Sequence, residues 1–167
     1  MAASESLLDL INAAQEQAKT HQTRIDQILA TSDANSRNAE EEVDALQSAT
    51  KALETATIDA FSLFEARMQH HFKRGPFSRK LTARLREAGE TKLADQVHQY
   101  YLAANVLKHG KGASHRELLK TPTPLVTLRS DEPDAETPTS LIDVTTGGFF
   151  DGLCATIIAA THFLENK

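Results

Sequence analysis

The stretch LLDLINAAQEQAKTHQTRIDQIL, residues 7–29, decides how this chain folds. Its residues Leu7, Ile11, Ala14, Ala18, His21, Ile25 and Ile28 recur in alternating steps of four and three. That spacing keeps one helical stripe facing a partner helix over three heptads. Ser4-Glu5-Ser6 supplies capping residues ahead of the helix, and the polar cluster Thr31-Ser32-Asp33-Ala34-Asn35-Ser36 ends it. A second helix is predicted from about Arg37 to Phe72, with Val43, Leu46, Leu53, Ala60, Phe61, Phe64 and Met68 inside. At ~1.5 Å per residue such a helix is on the order of 50 Å long. Two long helices joined by a short polar turn make an antiparallel hairpin.

Working outward, Gly75-Pro76 stops the second helix, and Phe77–Ala88 reads as a short helix with Leu81 and Leu85 inward. Gly89 separates it from a fourth helix with the seam Leu93, Val97, Tyr100, Ala104 and Leu107. Gly110 and Gly112 end that helix, and Ser114 is placed to cap a short one running through Lys120. Residues 121–140 hold four prolines and four acidic groups, the composition of an irregular surface loop. Near 121–146, Leu125–Leu128 and Leu141–Val144 are expected to pair as a two-stranded ribbon. A last helix from about Gly148 to Glu165 carries Phe149, Leu153, Ile157, Ala160 and Leu164. The fold class is therefore mainly α: one helical domain, 1–167, an antiparallel bundle built on a long hairpin.

Composition agrees with a globular chain, at 25% charged and 40% apolar residues. No apolar run reaches eighteen residues, and the N-terminus has no basic segment followed by an apolar core. The lone Cys154 lies among Leu153, Ala155, Ile157 and Ile158 and reads as a buried small hydrophobe. These features predict a cytoplasmic protein without a membrane partner. The net charge of −5 conceals segregation. Residues 1–60 hold 4 basic and 11 acidic groups, residues 61–120 hold 12 and 5, and residues 121–167 hold 2 and 7. Between Ala66 and Arg86 there is no acidic residue, while Arg67, Lys73, Arg74, Arg79, Lys80, Arg84 and Arg86 add seven positive charges. Two explanations stand side by side: pairing with the acidic first helices of the same or a second chain, or a surface for an anionic ligand.

One motif carries chemistry: Asn105-Val-Leu-Lys108-His109-Gly-Lys111-Gly-Ala-Ser114-His115-Arg116. An imidazole titrates near neutrality and can pass a proton at a ribose hydroxyl or a leaving oxygen. A neighbouring cation stabilises charge on phosphoryl oxygens, and glycines let the backbone come close to a phosphate. The same residues also make an ordinary helix end, since cations favour the C-terminal dipole and glycine stops the helix. On that view His115 is an exposed first-turn residue. His70 and His71 are adjacent on the chain, with only Glu65 near, which is poor spacing for a metal. No metal or other cofactor is expected.

Lys108, His109 and His115, with six residues between the first and the last, resemble the motif of the HEPN superfamily. These helical proteins belong to prokaryotic toxin–antitoxin and phage-defence systems. Their ribonuclease members carry Arg, usually a polar residue, and then His after four to six positions; here Lys108 stands at the Arg position. The resemblance implies a homodimer with two motif loops at its interface, and RNA or an antitoxin-like protein as partner. It implies His115 as acid/base, Lys108 as phosphate anchor, and support from His109, Asn105, Lys111, Ser114 and Arg116. The stretch Arg67, Lys73, Arg74, Arg79 and Lys80 would then follow the nucleic-acid backbone. The alternative from another class is a non-enzymatic helical interaction module with no nucleic-acid role.

Overall fold

A computed structural model describes residues 6–31, 39–129, 140–146 and 148–166, and within them the chain forms six α-helices and a two-stranded ribbon. Helix α1 (Leu7–Thr31) buries Leu7, Ile11, Ala18 and Ile25, so the seven-residue repeat read from the sequence is the packed one. Helix α2 (Ala39–Met68) lies against it. Ile28 shares a groove with Glu41 and Ala45, whereas Ile11 shares one with Ala60 and Leu63, so the two helices are antiparallel. Leu53, Phe61 and Phe64 are buried as expected, and Leu46 is half-buried. Val43 is a correction: it is 51% exposed, because near the hairpin tip only one helix is available to cover α2. Ser4, Glu5 and the polar segment 32–38 lie outside the described residues.

The second helix also ends earlier than predicted. After Met68 the chain tightens into a 3-10 turn, Gln69–His71, closed by the Phe72 N–H donating to the Gln69 carbonyl at 2.9 Å. Phe72 then turns inward beside Phe77, the first residue of α3 (Phe77–Glu87), and Phe77 meets Phe64 edge to face at 5.1 Å. Aromatic side chains thus fold α3 back onto the end of α2.

Helix α4 (Thr91–His109) is the centre of the molecule, touching α2, α3, α5 and α6. It buries Ala94, Val97, Tyr100, Leu102, Ala103, Ala104 and Val106, a set spread round the helix instead of along one seam. Leu93 and Leu107, expected in the seam, are only half-buried. A helix apolar on all sides must be covered on all sides. Helix α5 (Ala113–Lys120) and the ribbon do part of this, while α6 (Phe149–Glu165) packs against α1, α2 and α4. The ribbon pairs β1 (Thr127–Leu128) with β2 (Ile142–Asp143) in the register Thr127 to Asp143 and Leu128 to Ile142, and Ile142 and Val144 are buried. The fold is mainly α, a helical bundle with a small ribbon. Among the described residues no helix is long and apolar enough to cross a membrane.

One close approach locks α4 to α6. The Tyr100 side chain is 1% exposed and stacks edge to face on Phe149, with ring centroids 5.5 Å apart. Its hydroxyl lies so near Gly152 that a Cβ there would collide with the oxygen, while standing 3.5 Å from Cζ. Gly152→Ala is therefore expected to destabilise the protein by about 1–3 kcal/mol, the usual cost of overpacking. Tyr100→Phe removes the clashing oxygen, and alanine is the better helix former by about 1 kcal/mol. The double variant should recover most of the lost stability in a denaturant-unfolding cycle; purely additive losses would show that the clash is not the cause.

Candidate functional site

The motif residues occupy the α4–α5 junction. Lys108 and His109 are the last two residues of α4 and both are exposed. Gly110 follows at φ 72°, in the left-handed region, and its N–H donates to the Val106 carbonyl at 2.8 Å. This is the glycine stop expected from the sequence, and it leaves both cationic side chains at the negative end of the helix dipole. Lys111 and Arg116 are exposed as well.

Two motif residues are placed otherwise than expected. Ser114 does not cap α5; Gly112 holds the cap position without a side-chain hydrogen bond. The Ser114 hydroxyl instead accepts from Asn105 Nδ2 at 3.3 Å, so Asn105 and Ser114 tie the two helices together. His115 is 7% exposed, not a solvent-facing first-turn residue. It shares its face with buried Leu118 three positions on, and that face turns to α4. An imidazole so placed is shielded from a ligand at the surface of the chain.

Helix α2 contributes a residue that the motif does not contain. Glu65, in its last turn and a half, is half-buried and lies within electrostatic range of Lys108. Burial pushes the Glu65 carboxyl above its ordinary value, and the Lys108 ammonium draws it part of the way back. No sequence signal marks this pairing, since the two residues are 43 positions apart and meet only because α2 and α4 end together. A second unforeseen pair, His98 Nε2 and Glu117 Oε1 at 2.7 Å, joins α4 to α5, with the His98 ring stacked on Tyr101.

The basic stretch gathers at the same end of the bundle. Lys73 and Arg74 stand exposed in the turn after the 3-10 helix, and Arg79 and Lys80 stand exposed in the first turn of α3. Among the described residues none of these four is in an ion pair, and Arg67 is exposed one residue before α2 ends. The other two cations of the stretch are engaged: Arg84 lies 4.5 Å over the Phe72 ring, and Arg86 pairs with Asp95 at 3.1 Å. Cys154 is fully buried, and burial first, then Asp151, pushes its thiol up to about 12, so it stays protonated and inert. His70 and His71 have their rings 4.2 Å apart in the 3-10 turn.

Comparison with family models, curated proteins and solved structures finds no match to this chain.

The Glu65 arrangement has a consequence for stability. A carboxyl whose pKa is raised by folding favours the folded state only while protonated. That contribution is complete below the ordinary carboxyl value and is lost as pH rises through the raised one. At neutral pH Glu65 therefore opposes folding, and Glu65→Gln is expected to raise the melting temperature near neutrality. The gain should shrink towards zero in acid, below the ordinary carboxyl range. Thermal unfolding at both pH values checks this, and an equal gain at both would assign the effect to packing.

Proposed function

We propose that this chain is a HEPN-like helical protein that binds RNA through the basic end of its bundle. The observation that carries this reading is the group of exposed cations Lys73, Arg74, Arg79 and Lys80, outside ion pairs among the described residues, at the end of the molecule where Lys108 and His109 also emerge. Cations without internal partners can replace the counterions condensed on a phosphate backbone, several at once. Lys108 is the anchor beside the Gly110-Lys111-Gly112 turn, and His109 and Lys111 extend the binding surface. An ammonium gives attraction without the planar fork of a guanidinium, which suits tolerance of sequence.

Binding is favoured over cleavage. A proton-transfer group must come within hydrogen-bond reach of the atom it serves, and His115 faces α4 instead. His109 is exposed, but no described residue orients its ring as a base.

Fluorescence anisotropy with a labelled RNA across a salt series tests the proposal. The affinity of the wild type should fall linearly in log K against log salt. Arg74→Glu with Lys80→Glu should weaken binding at least about ten-fold and reduce the slope by roughly one for each phosphate no longer neutralised. Lys108→Glu should do the same, while Lys108→Arg should bind at least as well and still leave the RNA intact. A wild type that binds no RNA at low salt, or charge-reversal variants that bind as well as it does, would refute the reading.

A further inference from the structure

His70 and His71 are neighbours in the 3-10 turn that closes α2. Adjacent residues in such a turn point roughly 120° apart. Here the two imidazoles nevertheless lean together, with ring centroids 4.2 Å apart and planes inclined by 35°. The two members of the pair differ in depth. His71 is half-buried, with its Nε2 inside the protein, whereas His70 is exposed. One face of the His70 ring therefore rests on a partly enclosed imidazole, and the other is left to solvent. The phenylalanines of the same corner, Phe64, Phe72 and Phe77, are all buried, so flat ring surface reaches solvent here through histidine. Exposed cations stand on both sides along the chain: Arg67 three residues before His70, and Lys73 and Arg74 three and four residues after it.

We propose that His70, backed by His71, is a stacking site for an unpaired nucleobase; the inference rests on the RNA-binding reading given above. Every nucleobase offers a π-face, and stacking on an aromatic side chain holds it whatever its identity. A base in a strand carries phosphates on either side, so a ring flanked by cations takes the base and its phosphates together. Inside a duplex both faces of a base are covered by its neighbours, and the ring has nothing to stack on. The site therefore favours single-stranded segments, loops and ends, whose bases can be splayed out. Cations alone would hold strand and duplex through charge; the ring is what tells them apart. Contact with His71 also prepares the site, since a side chain already held by a neighbour loses less freedom when a ligand arrives.

Fluorescence anisotropy in mildly alkaline buffer tests this, with a labelled single-stranded RNA and with the same strand annealed to its complement. Circular dichroism and melting temperature confirm that each variant is folded. His70→Ala should weaken single-strand binding about five-fold or more, the low end for losing one stacked base, and leave duplex binding unchanged. The slope of log K against log salt should stay that of the wild type, because removing the ring costs no phosphate contact. His70→Gln, polar but without a ring, should behave as His70→Ala does, and His70→Phe should keep the wild-type single-strand affinity. A wild type that binds neither RNA would overturn the RNA reading and this inference together. Three results would overturn the stacking site alone while RNA binding stands. They are a His70→Ala variant that binds the single strand unchanged, one that weakens strand and duplex equally, or a His70→Phe variant that binds no better than His70→Ala.

Discussion

Burial of α4 on every side is the constraint on which the rest of this molecule depends. Its small residues Ala94, Ala103 and Ala104 allow close neighbours, and its large ones, Tyr100 and Leu102, must be enclosed by them. No single partner helix can do that. α2 covers one side, α3 folds back along another, and α5 and α6 complete the enclosure. The Tyr100–Gly152 approach shows how tightly: a helix carrying any side chain at position 152 could not sit where α6 does without displacing the tyrosine. The basic end of the molecule inherits its geometry from this packing. Lys108 comes within electrostatic range of Glu65 because α2 and α4 finish at the same end of the bundle, and α5 leaves the junction in a direction that His115 and Leu118 set by packing inward.

Those packing relations explain which parts of the fold are legible in the sequence. The α1 stripe is readable because one face packs on essentially one kind of partner, so Ile11, Ala18 and Ile25 repeat cleanly. The ends marked by Gly89 and Gly110 are readable because backbone conformation is a local property, and both glycines do adopt positive φ. The ribbon is readable because two short apolar runs flank a proline-rich segment. The α4 seam is not, since residues that face four partners have no single period. Val43 departs from expectation for the opposite reason: it continues the pattern of α2 into a region where the covering helices have already ended.

Within the candidate site, composition is more informative than spacing. An acid-free run of cations survives folding as a surface, because the acidic α1 and α2 tip lies at the far end of the hairpin and cannot reach Lys73 or Lys80. Segregation along the chain thus becomes segregation in space, an acidic tip and a basic base. The position of Glu65 is not legible, because a single half-buried carboxylate in a long helix carries no local signature. Its presence alters the site all the same. Lys108 is held between the dipole of its own helix, a neighbouring carboxylate and any incoming anion, so its charge is already partly compensated before a ligand arrives.

That compensation bears on whether a phosphate would be held for binding or for chemistry. Catalysis of phosphoryl transfer requires cationic donors aimed at the oxygens where charge develops, in a site that excludes water. Lys108 and His109 are instead open to solvent at a helix end, where the high dielectric weakens each interaction and several must act together to retain a polyanion. The buried histidine follows the same logic. His115 gains more from packing with Leu118 against α4 than it could gain from solvent, and bringing it to the surface would require α5 to rotate away from α4. Such a rotation would break the His98–Glu117 and Asn105–Ser114 hydrogen bonds together and expose Leu118. The packing that builds the basic end therefore also holds its motif histidine out of reach of a ligand at the surface, and the RNA binding proposed above would rest on many weak phosphate interactions.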